Sequence, residues 1–144
     1  MGANLSIDWF DRFGDAGKLM NLELKLNNLK EKIYTINFLN KSGDTLSLGL
    51  NNVDKAFFLD RRKSGKVDFS EKFASKISKV KTDVIQRELK VQILLDKTSI
   101  EVFYNDGKVV MTELFFPNEP METFSITIHD DYVYLTNIKV QEFK

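Results

Sequence analysis

Thr98-Ser99-Ile100-Glu101-Val102-Phe103-Tyr104-Asn105-Asp106-Gly107-Lys108-Val109-Val110-Met111-Thr112-Glu113-Leu114-Phe115-Phe116-Pro117 decides the fold of this chain. Two apolar runs with a period of two flank Asn105-Asp106-Gly107. Those three are residue types that tolerate the positive φ of a tight turn. In the first run Ile100, Val102 and Tyr104 fall on one face of an extended chain, and Glu101, Phe103 and Asn105 on the other. The physics of these residues predicts a β-hairpin.

The same alternation spreads in both directions. Leu22, Leu24 and Leu26 share a face opposite Glu23, Lys25 and Asn27. Tyr34, Ile36 and Phe38 repeat it, a turn follows at Asn40-Lys41-Ser42-Gly43-Asp44, and Leu46, Leu48 and Leu50 resume it. Ala56 to Asp60 is more continuously apolar and reads as a strand covered on both faces. Leu89, Val91, Ile93 and Leu95 lead through the turn Asp96-Lys97-Thr98-Ser99 into the hairpin. Phe124, Ile126 and Ile128 make the next strand, and His129-Asp130-Asp131 turns it into Tyr132 to Glu142. Val133 and Leu135 differ in parity from Ile138 and Val140, which predicts a bulge near Thr136-Asn137. With twelve phenylalanines, four tyrosines and two prolines, the pattern amounts to about nine strands. Their short spacing favours an antiparallel sandwich over a parallel α/β sheet. Trp9 to Met20 reads as a short helical turn or a strand leading in. Lys76 to Glu88 has Ile77, Val80 and Val84 at helical spacing but no cap or glycine stop, so an irregular connector is expected there.

The chain has 144 residues, the size of one domain, with 42% hydrophobic and 29% charged residues. Lysine and arginine (21) balance aspartate and glutamate (21), which gives no sign of a nucleic-acid partner. Cysteine is absent, so disulfides and thiolate chemistry are excluded, and His129 is the only histidine. No apolar run approaches the ~18 residues of a membrane helix, so no membrane partner is expected. The segment from Met1 to Asp8 lacks the basic and apolar regions of a signal peptide. Residues 1–18 are accordingly read as a linker or leader, with Met1-Gly2 in the form of an expression leader, and 19–144 as the domain.

Chemistry concentrates in two places. Phe57-Phe58-Leu59 ends abruptly in Asp60-Arg61, and the Arg61 fork suits a carboxylate or a sugar hydroxyl. Glu101, Phe103 and Asn105 put a carboxylate, an aromatic and an amide on one face, the components of a sugar platform. The competing reading is an ordinary ion pair between Glu101 and Arg61 at a sandwich rim. Nothing in the spacing marks Asp60 and Glu101 as an acid and base pair for glycoside hydrolysis. Asp8, Asp11 and Asp15 lack calcium-loop spacing, and His129 lacks metal-ligand companions, so no metal and no cofactor are expected. Phe115-Phe116-Pro117 reads as core, or as a docking patch if exposed.

From about Leu19 to Phe143 the chain resembles the C-terminal β-sandwich module of glycoside hydrolase family 32, the levanases, inulinases and invertases. The resemblance rests on Asp60-Arg61 with Ser64-Gly65, Asp96 with Ser99-Ile100-Glu101-Val102-Phe103, Asn105-Asp106-Gly107, and Thr112 leading to Phe115-Phe116-Pro117, in matching order and spacing. It implies an all-β, antiparallel two-sheet sandwich, lectin-like in architecture (concanavalin A-like, jelly-roll type). It also implies a non-catalytic accessory domain packed against a catalytic propeller of the same parent chain. The propeller's Asn-Asp-Pro, Arg-Asp-Pro and Glu-Cys motifs are absent from these residues. The parent would hydrolyse β-fructosides and be secreted or periplasmic. Some relatives of the module hold fructan, and that role would fall on Asp60, Arg61, Glu101 and Asn105. Arg62 stands where the family commonly carries serine. A protein-interaction or oligomerisation domain is the third reading.

Overall fold

A computed structural model describes residues 3–8, 19–66, 77–128 and 132–142. Eleven strands stand among the described residues: β1 (Ala3–Asp8), β2 (Met20–Asn27), β3 (Ile33–Leu39), β4 (Thr45–Asn51), β5 (Ala56–Lys63), β6 (Ser78–Lys81), β7 (Glu88–Leu95), β8 (Ser99–Tyr104), β9 (Val109–Leu114), β10 (Thr123–Ile128) and β11 (Tyr134–Glu142). They form a six-stranded sheet in the order β1-β10-β3-β4-β5-β6 and a five-stranded sheet in the order β11-β2-β7-β8-β9. Every paired neighbour runs antiparallel.

Alternation decides which face of each strand meets the other sheet. Tyr34, Ile36 and Phe38 of β3, Leu46, Leu48 and Leu50 of β4, and Phe57 and Leu59 of β5 are buried. They join one core cluster with Leu22, Leu24 and Leu26 of β2, Ile93 of β7, and Ile100, Val102 and Tyr104 of β8. Each fully buried leucine, isoleucine or phenylalanine contributes about 1.5–3 kcal/mol of transfer free energy. Phe57 and Tyr104 stack across the gap between the sheets, ring centroids 4.3 Å apart at 26°. The Tyr104 hydroxyl donates to the Gly49 carbonyl at 3.4 Å, so its burial carries a hydrogen-bond partner with it. That burial also pushes the Tyr104 phenol well above its ordinary pKa. Gly49 has φ +152°, and a Cβ built there would lie 1.9 Å from the Tyr34 carbonyl oxygen.

The hairpin forms as its residues predict. Tyr104 pairs with Val109, and Asn105, Asp106 and Gly107 take φ of 52°, 61° and 87° between them. The bulge in β11 lies where parity placed it, with the register shifting between Thr136 and Lys139 and Asn137 at φ 55°.

The two strands beyond the expected nine are the edges β1 and β6 of the six-stranded sheet. Residues 3–8, read from the sequence as part of a leader, pair along β10 from Ala3↔Ile128 to Asp8↔Thr123. Part of the expected connector 76–88 is β6, paired with β5 from Ala56↔Lys81 to Leu59↔Ser78. Its Val80 packs against the core while Lys79 and Lys81 are exposed, a charged edge that resists further strand addition. The turn at His129-Asp130-Asp131, the acidic positions Asp11 and Asp15, and most of the segment Trp9 to Met20 lie outside the described residues.

Candidate functional site

Alternation along β5 sends Phe57, Leu59 and Arg61 toward the other sheet and Phe58, Asp60 and Arg62 to the outer face. Asp60 and Arg62 are two residues apart on that face and meet in a bidentate pair, with Nε and Nη2 each donating at 2.9 Å. The Arg62 backbone N–H adds a third bond at 3.1 Å. The Arg62 side-chain bonds hold the Asp60 carboxyl below the usual carboxylate range, and partial desolvation opposes them.

Arg61 closes the rim. Its Nη1 lies 3.2 Å from Glu113 Oε2 and donates to the Leu114 carbonyl at 2.7 Å. The Ser78 hydroxyl donates to the other Glu113 oxygen. Glu113 therefore joins β5 and β6 of one sheet to β9 of the other, with side chains only 20% (Arg61) and 16% (Glu113) exposed. The alternative pairing of Arg61 with Glu101 is thereby corrected. Glu101 alternates with the inward Ile100 and Val102, so it points to the outer face of the five-stranded sheet, away from the gap that Arg61 spans.

Asn105 is held by its turn. Its Oδ1 accepts from the Lys90 backbone N–H at 3.2 Å, its own N–H donates to the Lys90 carbonyl at 2.9 Å, and its amide donates to Gln86 Oε1 at 3.3 Å. The four sequence candidates do not converge. Glu101 and Asn105 belong to the outer face and the turn end of the five-stranded sheet, Asp60 to the outer face of the six-stranded sheet, and Arg61 to the rim.

Among the described residues, hollows mark both outer faces. On the five-stranded sheet a cavity of about 230 Å³ is lined by Glu23, Lys25, Lys90, Gln92, Phe103 and Asn137 among others. A neighbouring hollow of about 260 Å³ shares Lys25, Lys90 and Asp106 with it and adds Glu88, Asn105 and Lys108. Strand register aligns Lys139, Glu23, Gln92, Phe103 and Val110 in one row across all five strands. Glu101 lies one row away, opposite Leu94 and Thr112. This floor can pair with hydroxyls and cover an apolar ring face.

On the six-stranded sheet a hollow of about 240 Å³ is lined by the apolar Ile33, Ala56, Phe58 and Ile77 together with Asn51, Asp54, Asp60, Lys79 and Lys81. Among the described residues no three His, Cys, Asp or Glu side chains gather in metal-binding range.

Parity had placed Glu101 and Phe103 together. Glu23, Lys90, Gln92 and Asn137 carry no local signal for this grouping, because only the pairing β11-β2-β7-β8 brings them alongside Phe103. The alternating Glu23 and the anticipated bulge are signals of position only.

The family model described as glycosyl hydrolases family 32 C terminal matches residues 6–142. A levanase of Bacillus sp. (strain L7) is 31% identical over 98 residues, a match that spans 68% of this chain but 10% of the levanase. The structure of a β-fructofuranosidase from Schwanniomyces occidentalis complexed with fructosyl-erythritol is similar at TM-score 0.74 and 21% identity, over 97% of this chain and 30% of that one. A Caenorhabditis elegans galectin shares the fold at TM-score 0.66 and 13% identity, over 99% of this chain and 91% of its own.

Proposed function

Since the chain belongs to the C-terminal domain family of the family 32 glycosyl hydrolases, we propose that it is the non-catalytic accessory domain of a fructan-hydrolysing β-fructosidase. In this reading it packs against the catalytic propeller of the same parent chain, steadies it, and is secreted or periplasmic with it. The observation that carries the reading is the cluster of Ile33, Ala56, Phe58 and Ile77 in a hollow on an outer sheet face, set among Asn51, Asp54, Asp60, Lys79 and Lys81. An outer face is ordinarily polar, and apolar surface there gains by being covered. The relatives supply room for such a cover, since this fold fills 30% of the Schwanniomyces occidentalis chain. The test is truncation of the parent enzyme at this domain. The expected result is retained turnover with much faster thermal inactivation; equal inactivation rates would refute the reading.

A second reading, fructan binding, is favoured by the other face. The floor around Phe103 combines an aromatic ring, two carboxylates, two amides and two lysines, and calorimetry of this chain with levan tests it. Heat of binding supports the reading, and its absence leaves the scaffold role alone.

A further inference from the structure

Resting on that second reading, we propose that the hollow over Glu23, Gln92, Phe103 and Asn137 is the subsite for one uncharged sugar ring of a β-fructan. Phe103 is the stacking platform, Glu23 and Gln92 accept from ring hydroxyls, and the Asn137 amide closes the far side. None of these four is among the positions the family resemblance pointed to.

Register supplies the spacing. Glu23, Gln92 and Phe103 are direct cross-strand neighbours on β2, β7 and β8. Strands lie about 4.8 Å apart, so the three span roughly 10 Å, the reach of one ring with its hydroxyls. The cavity of about 230 Å³ falls below the roughly 300–1,000 Å³ of sites for drug-sized ligands. That is room for one ring in this hollow.

Asn21 sets the orientation. It is only 2% exposed although it sits on the outer face. Its amide donates to Glu23 Oε2 at 2.8 Å and to Gln141 Oε1 at 3.2 Å, and its carbonyl accepts from Gln92 Nε2 at 3.1 Å. These bonds fix one end of Glu23 and of Gln92, and leave Glu23 Oε1 and Gln92 Oε1 as acceptors for a ligand hydroxyl. On the opposite side the bulge re-aims β11 and brings Asn137, at φ 55°, to the hollow's edge.

Charge selects the ligand class. The three lysines around the hollow already have carboxylate partners: Lys25–Glu88 at 3.3 Å, Lys90–Asp106 at 3.2 Å and Lys139–Glu23 at 3.9 Å. A phosphate or carboxylate ligand must compete with one of these pairs, whereas a neutral polyol need not. With about a dozen heavy atoms, one ring in so shallow a site binds with a Kd of the order of 1 mM.

The test is a ¹⁵N-¹H correlation titration of this chain with levan-derived oligosaccharides, repeated on Phe103→Ala, Gln92→Ala and Asp60→Asn. The expected result is shifts centred on the amides of Glu23, Gln92, Phe103 and Asn137. Loss of Phe103 should weaken binding roughly tenfold. Gln92→Ala, which removes less packing, should weaken it several-fold, and Asp60→Asn should bind as the parent chain does. The dispersion of each spectrum reports whether the variant is folded. Binding that survives both Phe103→Ala and Gln92→Ala, or shifts that centre on Asp60, would overturn this subsite and leave fructan binding standing. No shift at tens of millimolar oligosaccharide would remove the binding reading together with the subsite.

Discussion

Phe57→Ala tests the packing on which every placement rests. Phe57 is 1% exposed and stacks on Tyr104 of the opposite sheet at 4.3 Å. Truncation removes the transfer free energy of the ring and leaves a cavity between two sheets whose backbones are pinned by their ladders, so little collapse can follow. Phenylalanine-to-alanine changes at such sites cost about 3–5 kcal/mol, and the stacked partner adds to the loss, so about 4 kcal/mol is expected. For a chain of 144 residues that lowers Tm by roughly 10 °C. The comparison is Phe58→Ala, one residue along β5 on the outer face and only half-buried, for which about 1 kcal/mol is expected. Urea unfolding followed by circular dichroism, with m-values checked for constancy, measures both. If Phe58→Ala costs as much as Phe57→Ala, the assignment of inner and outer faces is wrong.

Gly49→Ala should destabilise by at least about 3 kcal/mol, since its methyl would meet the Tyr34 carbonyl oxygen at 1.9 Å with φ at +152°; urea midpoints measure it. Asn105→Ala should cost about 2 kcal/mol, from the left-handed φ of 52° and the lost bond to the Lys90 N–H. Asn105→Gly should cost less, because it keeps the turn conformation; equal losses would mean that the backbone angle is irrelevant. For Asp60 the folded carboxyl titrates below its ordinary value because of Arg62. Its stabilisation is therefore fully present above the ordinary carboxylate pKa and is lost as pH falls through the folded value. Asp60→Asn should flatten the acid limb of stability below about pH 4 and leave the slope near neutrality unchanged, as acid titration followed by circular dichroism would record.

Much of the sandwich is legible in the sequence because one buried face imposes a strict period of two. Leu22-Leu24-Leu26 and Leu46-Leu48-Leu50 can be read by eye, and Asn105-Asp106-Gly107 marks the corner by its tolerance of positive φ. The edge strands were not legible for the same physical reason. β6 has four residues, and Val80 alone of them packs on the core, so Ile77, Val80 and Val84 mimic a helical stripe. β1 is short and stands apart from the main run of alternation. The site was half legible. Parity puts Glu101 beside Phe103, but only the sheet order brings Glu23 and Gln92 to the same ring. Arg61 finds Glu113 because two sheet edges meet at the rim, a tertiary fact without a local signature.

The association of this sandwich with a catalytic partner is tested most directly by differential scanning calorimetry of the intact parent enzyme beside the isolated chain. If the two modules bury the Ile33–Phe58–Ile77 hollow between them, this domain unfolds in the enzyme at a higher temperature than alone and within one transition shared with the propeller. Two separate transitions, with the sandwich melting at its isolated temperature, would contradict it.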